Sequence, residues 1–411
     1  MVKISITAVI AGFFTVFIHY SVRYGYGMLL PEMLPALEIS KTEAGIIVMF
    51  FFIIYTLLAP ITGVLSDILS FKILIPASVF LLGLGAFLLS TSSSMLQTGL
   101  FYSITAIGSA GCWAPVMVLI QRSVPEKRKG LAVSIVGTGT CLGIFLTGLL
   151  LPILVSNSSW RSGWTMLGIT GLVIAFLSFI LIANPKSHPS NDKTIYVELS
   201  WFFSKYKHIF KQTNFWLIAV AYLFVGFNLI TIFTFLPVYA SEELRVQYRI
   251  STWLISIIAA SGIFGQLCLG YLSDKIGRRL IMIICGILLG LPCLGISLIS
   301  SIWILFVLVA CWGIGYGAVC AIYSASASDY FSRQFSGGIV GVWTAFLGLG
   351  SIVAPIICGY LIDLTKTYFW VFIVTMAVAL LSAILILMVK KANTITEESE
   401  YLVETETPLM N

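Results

Sequence analysis

Charged side chains are scarce in this chain: Asp, Glu, Lys and Arg make up 10% of its 411 residues, whereas 59% are hydrophobic. A water-soluble protein of this length needs a larger charged surface, so a mean hydropathy of +1.03 excludes an ordinary soluble protein and favours one that is solvated mainly by lipid. The eight cysteines lack metal or redox spacing. Because no nucleophile–base pair, metal cluster or phosphate-binding loop is found, we expect no enzyme activity and no cofactor or metal.

The hydrophobic residues fall into apolar runs of about 20 residues, the length that crosses a bilayer as a helix. A cleavable signal peptide is not expected, because the first run is too long and lacks a small-residue cleavage site. We predict an all-α integral membrane protein with twelve transmembrane helices. The runs lie at about Ile4–Leu34, Ala44–Leu65, Ile73–Ser90, Leu96–Ile120, Leu131–Val155, Trp164–Ala183, Phe215–Tyr239, Trp253–Leu272, Leu280–Leu298, Ile302–Ser324, Gly338–Leu361 and Phe369–Val389.

The net charge of +6 indicates membrane topology rather than a nucleic-acid partner. If the spans alternate from a cytoplasmic N-terminus, most of the 23 basic residues fall on the cytoplasmic side, as the positive-inside rule requires. We therefore predict a multi-pass protein of the plasma membrane with both termini in the cytoplasm. The basic residues on the opposite side are Lys41, Arg161, Arg245, Arg249 and Lys366.

Two matches at nearly one offset indicate an internal repeat. Leu30-Pro31 corresponds to Leu236-Pro237, and Gly63-Val-Leu-Ser-Asp67 corresponds to Gly270-Tyr-Leu-Ser-Asp274. Six spans per half, repeated in parallel, are typical of transporters with a site between the halves. We predict six-helix bundles at 1–185 and 212–390, a cytoplasmic linker at 186–211 with a surface helix, and a disordered acidic tail at 391–411.

The stretch Gly270-Tyr-Leu-Ser-Asp-Lys-Ile-Gly-Arg-Arg279 resembles the cytoplasmic-loop signature of the major facilitator superfamily at every defined position. The resemblance covers the whole membrane region and implies two pseudo-symmetric bundles with one central site that opens to each side in turn. We predict that Gly270 lets a neighbouring helix approach, that Asp274 caps a helix, and that Arg278 or Arg279 pairs with Asp329 as a gate. Ordinary positive-inside charge is the alternative for the two arginines.

The N-terminal copy of this signature keeps only Gly63, Asp67 and Lys72. We therefore expect a weaker gate in this half, in which Arg122 pairs with Asp67. In span five the chain has Gly143-Ile144 where proton-coupled drug exporters of the superfamily carry Gly-Pro, which argues against that branch.

Arg23 is the one basic residue predicted at membrane depth. A guanidinium there costs about 2.5–3.5 kcal/mol and stays charged, so it needs an aqueous cavity and a counter-charge. No acidic residue lies clearly at the same depth, and we infer that the counter-charge is a ligand. The stretch Arg23-Tyr-Gly-Tyr-Gly-Met-Leu-Leu-Pro31 resembles the first span of the organic-anion and organophosphate branches, which place an arginine at the substrate anion. The second arginine of the organophosphate carriers is missing, which favours a monocarboxylate.

Helical spacing places His19 and Tyr26 on the same face as Arg23. We predict that Arg23 and Tyr26 bind the anion and that His19 is the proton-coupling residue, although His19 is equally explained as a packing residue. Aromatic and polar residues of the other spans complete the predicted site, and each is also compatible with simple helix packing. These residues are Trp113, Asn228, Tyr316 and Trp343.

The sequence as a whole favours a monomeric secondary transporter of a small organic anion, with a proton as the coupling ion. Two alternatives stay open. In the first alternative, the chain is a drug or metabolite exporter in which Arg23 is structural. In the second, it is a receptor that binds the anion without translocating it.

Overall fold

The computed structural model describes residues 2–183, 208–299, 301–331 and 336–390. Within these ranges lie thirteen helices of ten residues or more and no strand. The helices are α1 Val2–Leu37, α2 Lys41–Ile68, α3 Phe71–Leu89, α4 Met95–Ala110, α5 Ala114–Ser123, α6 Glu126–Asn157, α7 Trp160–Leu181, α8 Thr213–Glu242, α9 Tyr248–Ile276, α10 Arg278–Leu298, α11 Ile302–Tyr330, α12 Ser336–Thr365 and α13 Phe369–Met388.

In the described ranges the thirteen helices form twelve segments that are long and apolar enough to span a membrane, because α4 and α5 together make one; this confirms the predicted fold class. The fourth predicted span is not one helix, however, because it breaks between α4 and α5. Pro115 explains the break: a proline lacks the amide hydrogen and its ring collides with the carbonyl four residues earlier, that of Gly111. The break leaves Trp113 37% exposed.

Short polar signals delimit the apolar helices. Ser40 caps α2 through a reciprocal pair of hydrogen bonds, from Glu43 N to Ser40 Oγ (3.1 Å) and from Ser40 N to Glu43 Oε2 (2.7 Å). Gly277 alone separates α9 from α10 at φ +95°, a conformation that favours glycine. These signals explain why consecutive spans are joined by so few residues.

The helices pack as an N-terminal half, α1–α7, and a C-terminal half, α8–α13. Three seams join the halves: α1 with α8, α2 with α12, and α6 with α9. Nearly all of the predicted linker (186–211) and all of the predicted tail (391–411) lie outside the described residues. The predictions for these two segments therefore stay predictions.

All three seams are tight at one end of the molecule, the end that carries residues 38–40 and 366–368, which we call the closed end. At this end the backbone of one half meets the other half so closely that an added Cβ would collide. The pairs are Gly27 with the Phe233 carbonyl, Gly45 with the Pro355 carbonyl, and Gly148 with the Ser256 hydroxyl. Glycine is required at these positions because any side chain would separate the halves.

The same seams are separated at the opposite end, which carries residues 69–70 and 277 and which we call the open end. Glycines on the seam helices here have no neighbour: an added Cβ would meet no atom within 4 Å at Gly63, Gly130, Gly137, Gly270 and Gly341. The close approach predicted at Gly270 is therefore absent in this conformation.

Candidate functional site

Arg23 lies between the halves, on the α1 seam. Its Nε is buried and has no hydrogen-bond partner, while the side chain as a whole is half-buried. Among the residues that the structure describes, Arg23 forms no ion pair. Because a buried charge requires a counter-charge or hydrogen bonds, this guanidinium is unsatisfied by the protein itself.

Aromatic rings surround the guanidinium in place of carboxylates. Its central carbon lies 4.8 Å from the ring centroid of Phe52, 4.9 Å from Tyr55, 5.5 Å from Tyr24 and 5.8 Å from Tyr20. Distances below about 6 Å allow cation–π attraction, which offsets part of the cost of burying the cation without neutralising it. The site thus holds a charge in place and leaves it able to attract an anion.

A small cavity of about 10 Å³ lies beside Arg23. It has room for roughly one water molecule. Residues of both halves line it, among them Tyr26 and Thr234. We call the gap between the separated seams at the open end the cleft. In this conformation an organic anion can bind only if the surrounding side chains move or if it enters from the cleft.

Access from the cleft is indicated by Cys320 on α11. The residue is exposed, although Cys320 interacts electrostatically with Arg23, Tyr20 and Tyr24 of the opposite half. A group that faces the other half and is still exposed lies in the separated part of the interface. The cleft therefore reaches the surroundings of Arg23.

His19 lies one turn before Arg23 and is fully buried. Neither ring nitrogen has a hydrogen-bond partner. The ring stacks on Tyr55 (centroids 6.0 Å apart) and meets the edge of Tyr20 (4.7 Å). Two unpartnered nitrogens are unusual for a packing histidine, whose buried polar atoms are normally hydrogen-bonded.

Tyr26 and Tyr102 attach α1 to its neighbours. Tyr26 Oη donates to Ala44 O (3.2 Å), and Tyr102 Oη donates to the backbone carbonyl of Arg23 (3.0 Å). The two rings stack at 4.8 Å. Tyr26 lines the cavity as predicted, but its hydroxyl proton is already used by the backbone, so ligand binding there needs an exchange of partners.

Two further predicted residues lie near Arg23. Trp113 meets the ring of Tyr20 at 6.0 Å, edge to face, at the break in the fourth span. Tyr316 interacts electrostatically with Arg23 from the C-terminal half and stacks on Trp312, with centroids 5.8 Å apart. Both stay predicted substrate-binding residues.

Asn228 is placed differently from the prediction. It is fully buried, and its amide group donates to Leu289 O (3.1 Å) and Thr375 O (3.2 Å) while its oxygen accepts from Trp312 Nε1 (3.0 Å). These bonds join α8 to three helices of its own half. We correct its assignment from ligand contact to packing of the C-terminal half.

Trp343 is also a packing residue in this conformation. Its indole nitrogen donates to Phe215 O (3.2 Å), and its ring lies against Phe215 and Phe331. Both partners belong to the C-terminal half near the open end, and Trp343 is 1% exposed. The predicted substrate contact is therefore not made.

The signature motif forms bonds within the C-terminal half. Arg278 Nε contacts Asp329 Oδ2 at 3.2 Å, which agrees with the predicted pairing, and Arg278 also binds Asp274 (2.6 Å). Asp274 therefore pairs with an arginine instead of capping a helix. Arg279 donates to the carbonyls of Ile386 and Leu387 at the end of α13. None of these bonds crosses a seam, as expected where the halves are apart.

The weaker N-terminal copy is only partly described. Lys72 lies over the ring of Phe179 at 5.2 Å, and Arg122 lies over the ring of Phe71 at 5.5 Å. The side chain of Asp67 is outside the described residues. Its pairing with Arg122 stays a prediction.

Polar contacts across the seams occur at the closed end. Asp363 of α12 accepts hydrogen bonds from Lys41 N (3.2 Å), Thr42 N (2.8 Å) and Thr42 Oγ1 (2.5 Å), the first residues of α2. An anion at this position also interacts favourably with the helix dipole. Lys41 Nζ pairs with Glu242 Oε1 of α8 at 3.0 Å. The closed end is thus held by charges as well as by backbone contact.

Tyr368, in the loop before α13, supports this arrangement. Its hydroxyl donates to Glu242 Oε2 (2.8 Å), and its backbone amide donates to Glu243 Oε2 (3.0 Å). Burial, together with the negative charge of Glu242, raises the pKa of Tyr368. The phenol therefore stays protonated and keeps Glu242 oriented toward Lys41.

Comparison with protein families gives the class. The model of the Major Facilitator Superfamily matches residues 12–275 and 243–404. The chain belongs to the Major Facilitator Superfamily. Its members are transporters and not enzymes.

Curated relatives are similar at low identity over most of their length. Monocarboxylate transporter 12 of Xenopus laevis is 24% identical over 367 residues, 84% of this chain and 79% of the relative. The Benzoate transport protein of Acinetobacter baylyi is 24% identical over 405 residues, 89% of this chain and 85% of the relative.

Solved structures support the fold. A bacterial homologue of the human lysosomal transporter Spinster, in an inward-facing and occupied conformation, aligns with a TM-score of 0.78 over 94% of this chain and 96% of its own, at 16% identity. The nucleoside transporter NupG aligns with a TM-score of 0.78 over 93% and 100%, at 12% identity. At these identities the likeness shows the fold alone.

Sequence reasoning missed several residues around Arg23. Helical spacing would have included Tyr20, three residues before Arg23, but not Tyr24, because adjacent residues do not share a helix face. Phe52 and Phe233 come from α2 and α8, and no local pattern distinguishes them from other phenylalanines of the spans. Only the packing of the helices brings these rings to the guanidinium.

Proposed function

We propose that this protein is a secondary active transporter of a small organic monoanion, a monocarboxylate, which works by alternating access. The observation that carries the proposal is the unpaired Arg23 guanidinium between the halves. A permanent cation with a buried, unpartnered Nε is complementary to a carboxylate, which accepts two parallel hydrogen bonds from this group.

The surroundings of Arg23 favour one negative charge and an apolar body. The nearest side chains are aromatic, and Tyr24 is stacked on Phe233 of the other half at 3.9 Å. Such walls suit the hydrocarbon part of a carboxylate. The names of the relatives, Monocarboxylate transporter 12 and Benzoate transport protein, support the same substrate class.

The two ends of the molecule support alternating access. Interactions between the halves are concentrated at the closed end, and the cleft leads from the open end toward Arg23. We propose that the open end, with the signature motif and both termini, faces the cytoplasm of a plasma membrane. In the opposite state the closed-end contacts separate and the seams join at the open end.

The test is uptake of a labelled panel of monocarboxylates, including benzoate and lactate, into proteoliposomes. Arg23→Gln removes the charge-assisted bonds, worth about 1.5–3 kcal/mol, and we expect a loss of roughly 10- to 150-fold in kcat/KM. Arg23→Lys keeps the charge but loses the planar pair of guanidinium N–H donors. Its uptake should lie between that of the wild type and that of Arg23→Gln. Arg245→Gln, an exposed arginine of the closed end, is the matched control and should retain full uptake.

Binding is measured separately through the cysteines. A bound anion should slow alkylation of Cys320, beside Arg23, but not of Cys268, the other exposed thiol. Protection without accumulation would identify a receptor. Unchanged uptake in Arg23→Gln would contradict the anion site and favour an exporter in which Arg23 is structural.

We further propose proton symport through His19. A bound anion neutralises Arg23, after which the adjacent unpartnered imidazole takes up a proton and the loaded site is nearly neutral. This matters because one net charge crossing 100 mV involves about 2.3 kcal/mol.

The test of coupling is the pH dependence of uptake. In the wild type, lowering the external pH should accelerate uptake, because more protons are available to the loaded site. His19→Gln should lose this acceleration while the anion still protects Cys320. An unchanged pH profile in His19→Gln would exclude this residue as the coupling site.

A further inference from the structure

A second, larger cavity lies at the closed end, apart from Arg23. Its volume is about 470 Å³, which is within the range of about 300–1,000 Å³ typical of small-molecule sites. Its walls come from both halves: Glu32 on α1 and residues 152–156 on α6 face Gln247, Tyr248 and Arg249 at the start of α9. The cavity therefore bridges the α6–α9 seam.

Polar groups in this cavity lack protein partners. The hydroxyl of Tyr248 is buried without a hydrogen bond. Within the described part of the chain, Glu32 and Arg249 form no ion pair, although Glu32 is close enough to Tyr248 to interact electrostatically. The guanidinium of Arg249 lies over the ring of Trp253 at 4.7 Å, an arrangement that leaves its N–H edge available.

We propose that this cavity binds a zwitterion, with its ammonium group at Glu32 and its anionic group at Arg249. The charges of the site match such a ligand: one carboxylate on the N-terminal half and one guanidinium on the C-terminal half. Pro152, Ile153 and Val155 provide an apolar wall for the hydrocarbon part. Because the two charges belong to different halves, the ligand bridges the seam and stabilises the closed end.

A zwitterion can reach the cavity as a soluble molecule or as the headgroup of a phospholipid. Trp253, whose ring lies against Arg249, is a residue type that is enriched at the membrane–water interface, where headgroups lie. The experiment therefore includes both sources. This site is independent of what the cleft transports, so its test does not depend on the function proposed above.

The experiment measures thermal unfolding of the full chain in detergent. The probes are phosphoethanolamine, short-chain phosphatidylethanolamine, and phosphatidylglycerol with the same chains, which lacks the ammonium group. We expect one or both ethanolamine probes to raise the Tm saturably and phosphatidylglycerol to do so at least tenfold more weakly. A response to phosphoethanolamine identifies a soluble zwitterion, and a response to the lipid alone identifies a headgroup.

Three variants test the assignment of the groups. Glu32→Gln and Arg249→Gln should each weaken binding of the ethanolamine probe at least tenfold, whereas Glu38→Gln and Arg245→Gln, charges of the closed end outside the cavity, should not. Tyr248→Phe should leave binding of the ethanolamine probe unchanged, because its hydroxyl is buried out of reach of a ligand in the cavity.

A zwitterion bound in the cavity should also keep Cys320 accessible to alkylation. The reason is that the ligand holds the halves together at the closed end and so keeps the cleft open. Equal responses to phosphatidylethanolamine and phosphatidylglycerol, no response to any probe, or equal binding in the two charge variants and their controls would each overturn the proposal.

Discussion

The closed end and the open end of this molecule are built from the same six seam helices and yet behave differently. At the closed end, α2 meets α12 backbone to backbone at Gly45 and Pro355, and Asp363 caps α2. Toward the open end the same two helices pass Gly63 and Gly341, which contact nothing across the seam. The contrast supports our proposal that the halves rock as rigid bodies about the middle of the molecule, where Arg23 lies.

The charged residues of the two ends also differ in what they join. Asp363 and Lys41 bond to the other half. Arg278 of the family signature and its partner Asp329 bond within one half. We infer that the signature charges become inter-half contacts only in the opposite conformation. Substitutions at the two ends should therefore have opposite or unequal effects on the conformation described here.

The largest effect is expected from a side chain added at the closed end. Gly45→Ala places a Cβ in the Pro355 carbonyl, and overpacking of this kind costs about 1–3 kcal/mol. The equilibrium population of the conformation described here, in which the cleft is open, should fall by roughly 5- to 150-fold relative to the opposite conformation. The alkylation rate of Cys320 should fall with it. Gly63→Ala, in open space on the same helix, is the control and should change neither quantity. Equal effects of both variants would refute the rocking interpretation.

A smaller effect is expected from Asp363→Asn. The amide keeps one acceptor but loses the charge at the start of α2, a cost of about 1 kcal/mol. The closed end should then separate more often, which closes the cleft at the other end. Alkylation of Cys320 should therefore slow by roughly fivefold.

The comparison is Asp329→Asn at the open end, which should leave the Cys320 alkylation rate unchanged, since its bond to Arg278 stays within one half. A slower rate in Asp329→Asn alone would reverse the assignment of the two ends.

The smallest effect is expected from Lys41→Gln. Its pair with Glu242 is partly exposed, with side-chain exposures of 25% and 39%, and such pairs contribute about 0–1 kcal/mol. The Tm should fall by no more than a few degrees for a chain of this size. The difference from the wild type should disappear near 1 M salt, where the Debye length is about 3 Å. A large, salt-independent loss would show that Lys41 supports the closed end by packing.

The sequence by itself determined the number of spans, the repeat and the class of protein, because the bilayer requires long apolar helices and the signature is a local motif. It also singled out Arg23, since a lone charge in an apolar run is conspicuous whatever the fold. It did not predict the break in the fourth span, although Pro115 was visible.

Only the tertiary structure decided which side chains surround that charge. Asn228 and Trp343 looked like ligand residues, but side chains and carbonyls from distant parts of the chain satisfy them. No local pattern singled out Phe52 and Phe233, which lie at the site. The difference arises because the face a span presents depends on the helices packed against it, and in a chain with 59% hydrophobic residues the periodicity that marks a buried face is almost absent.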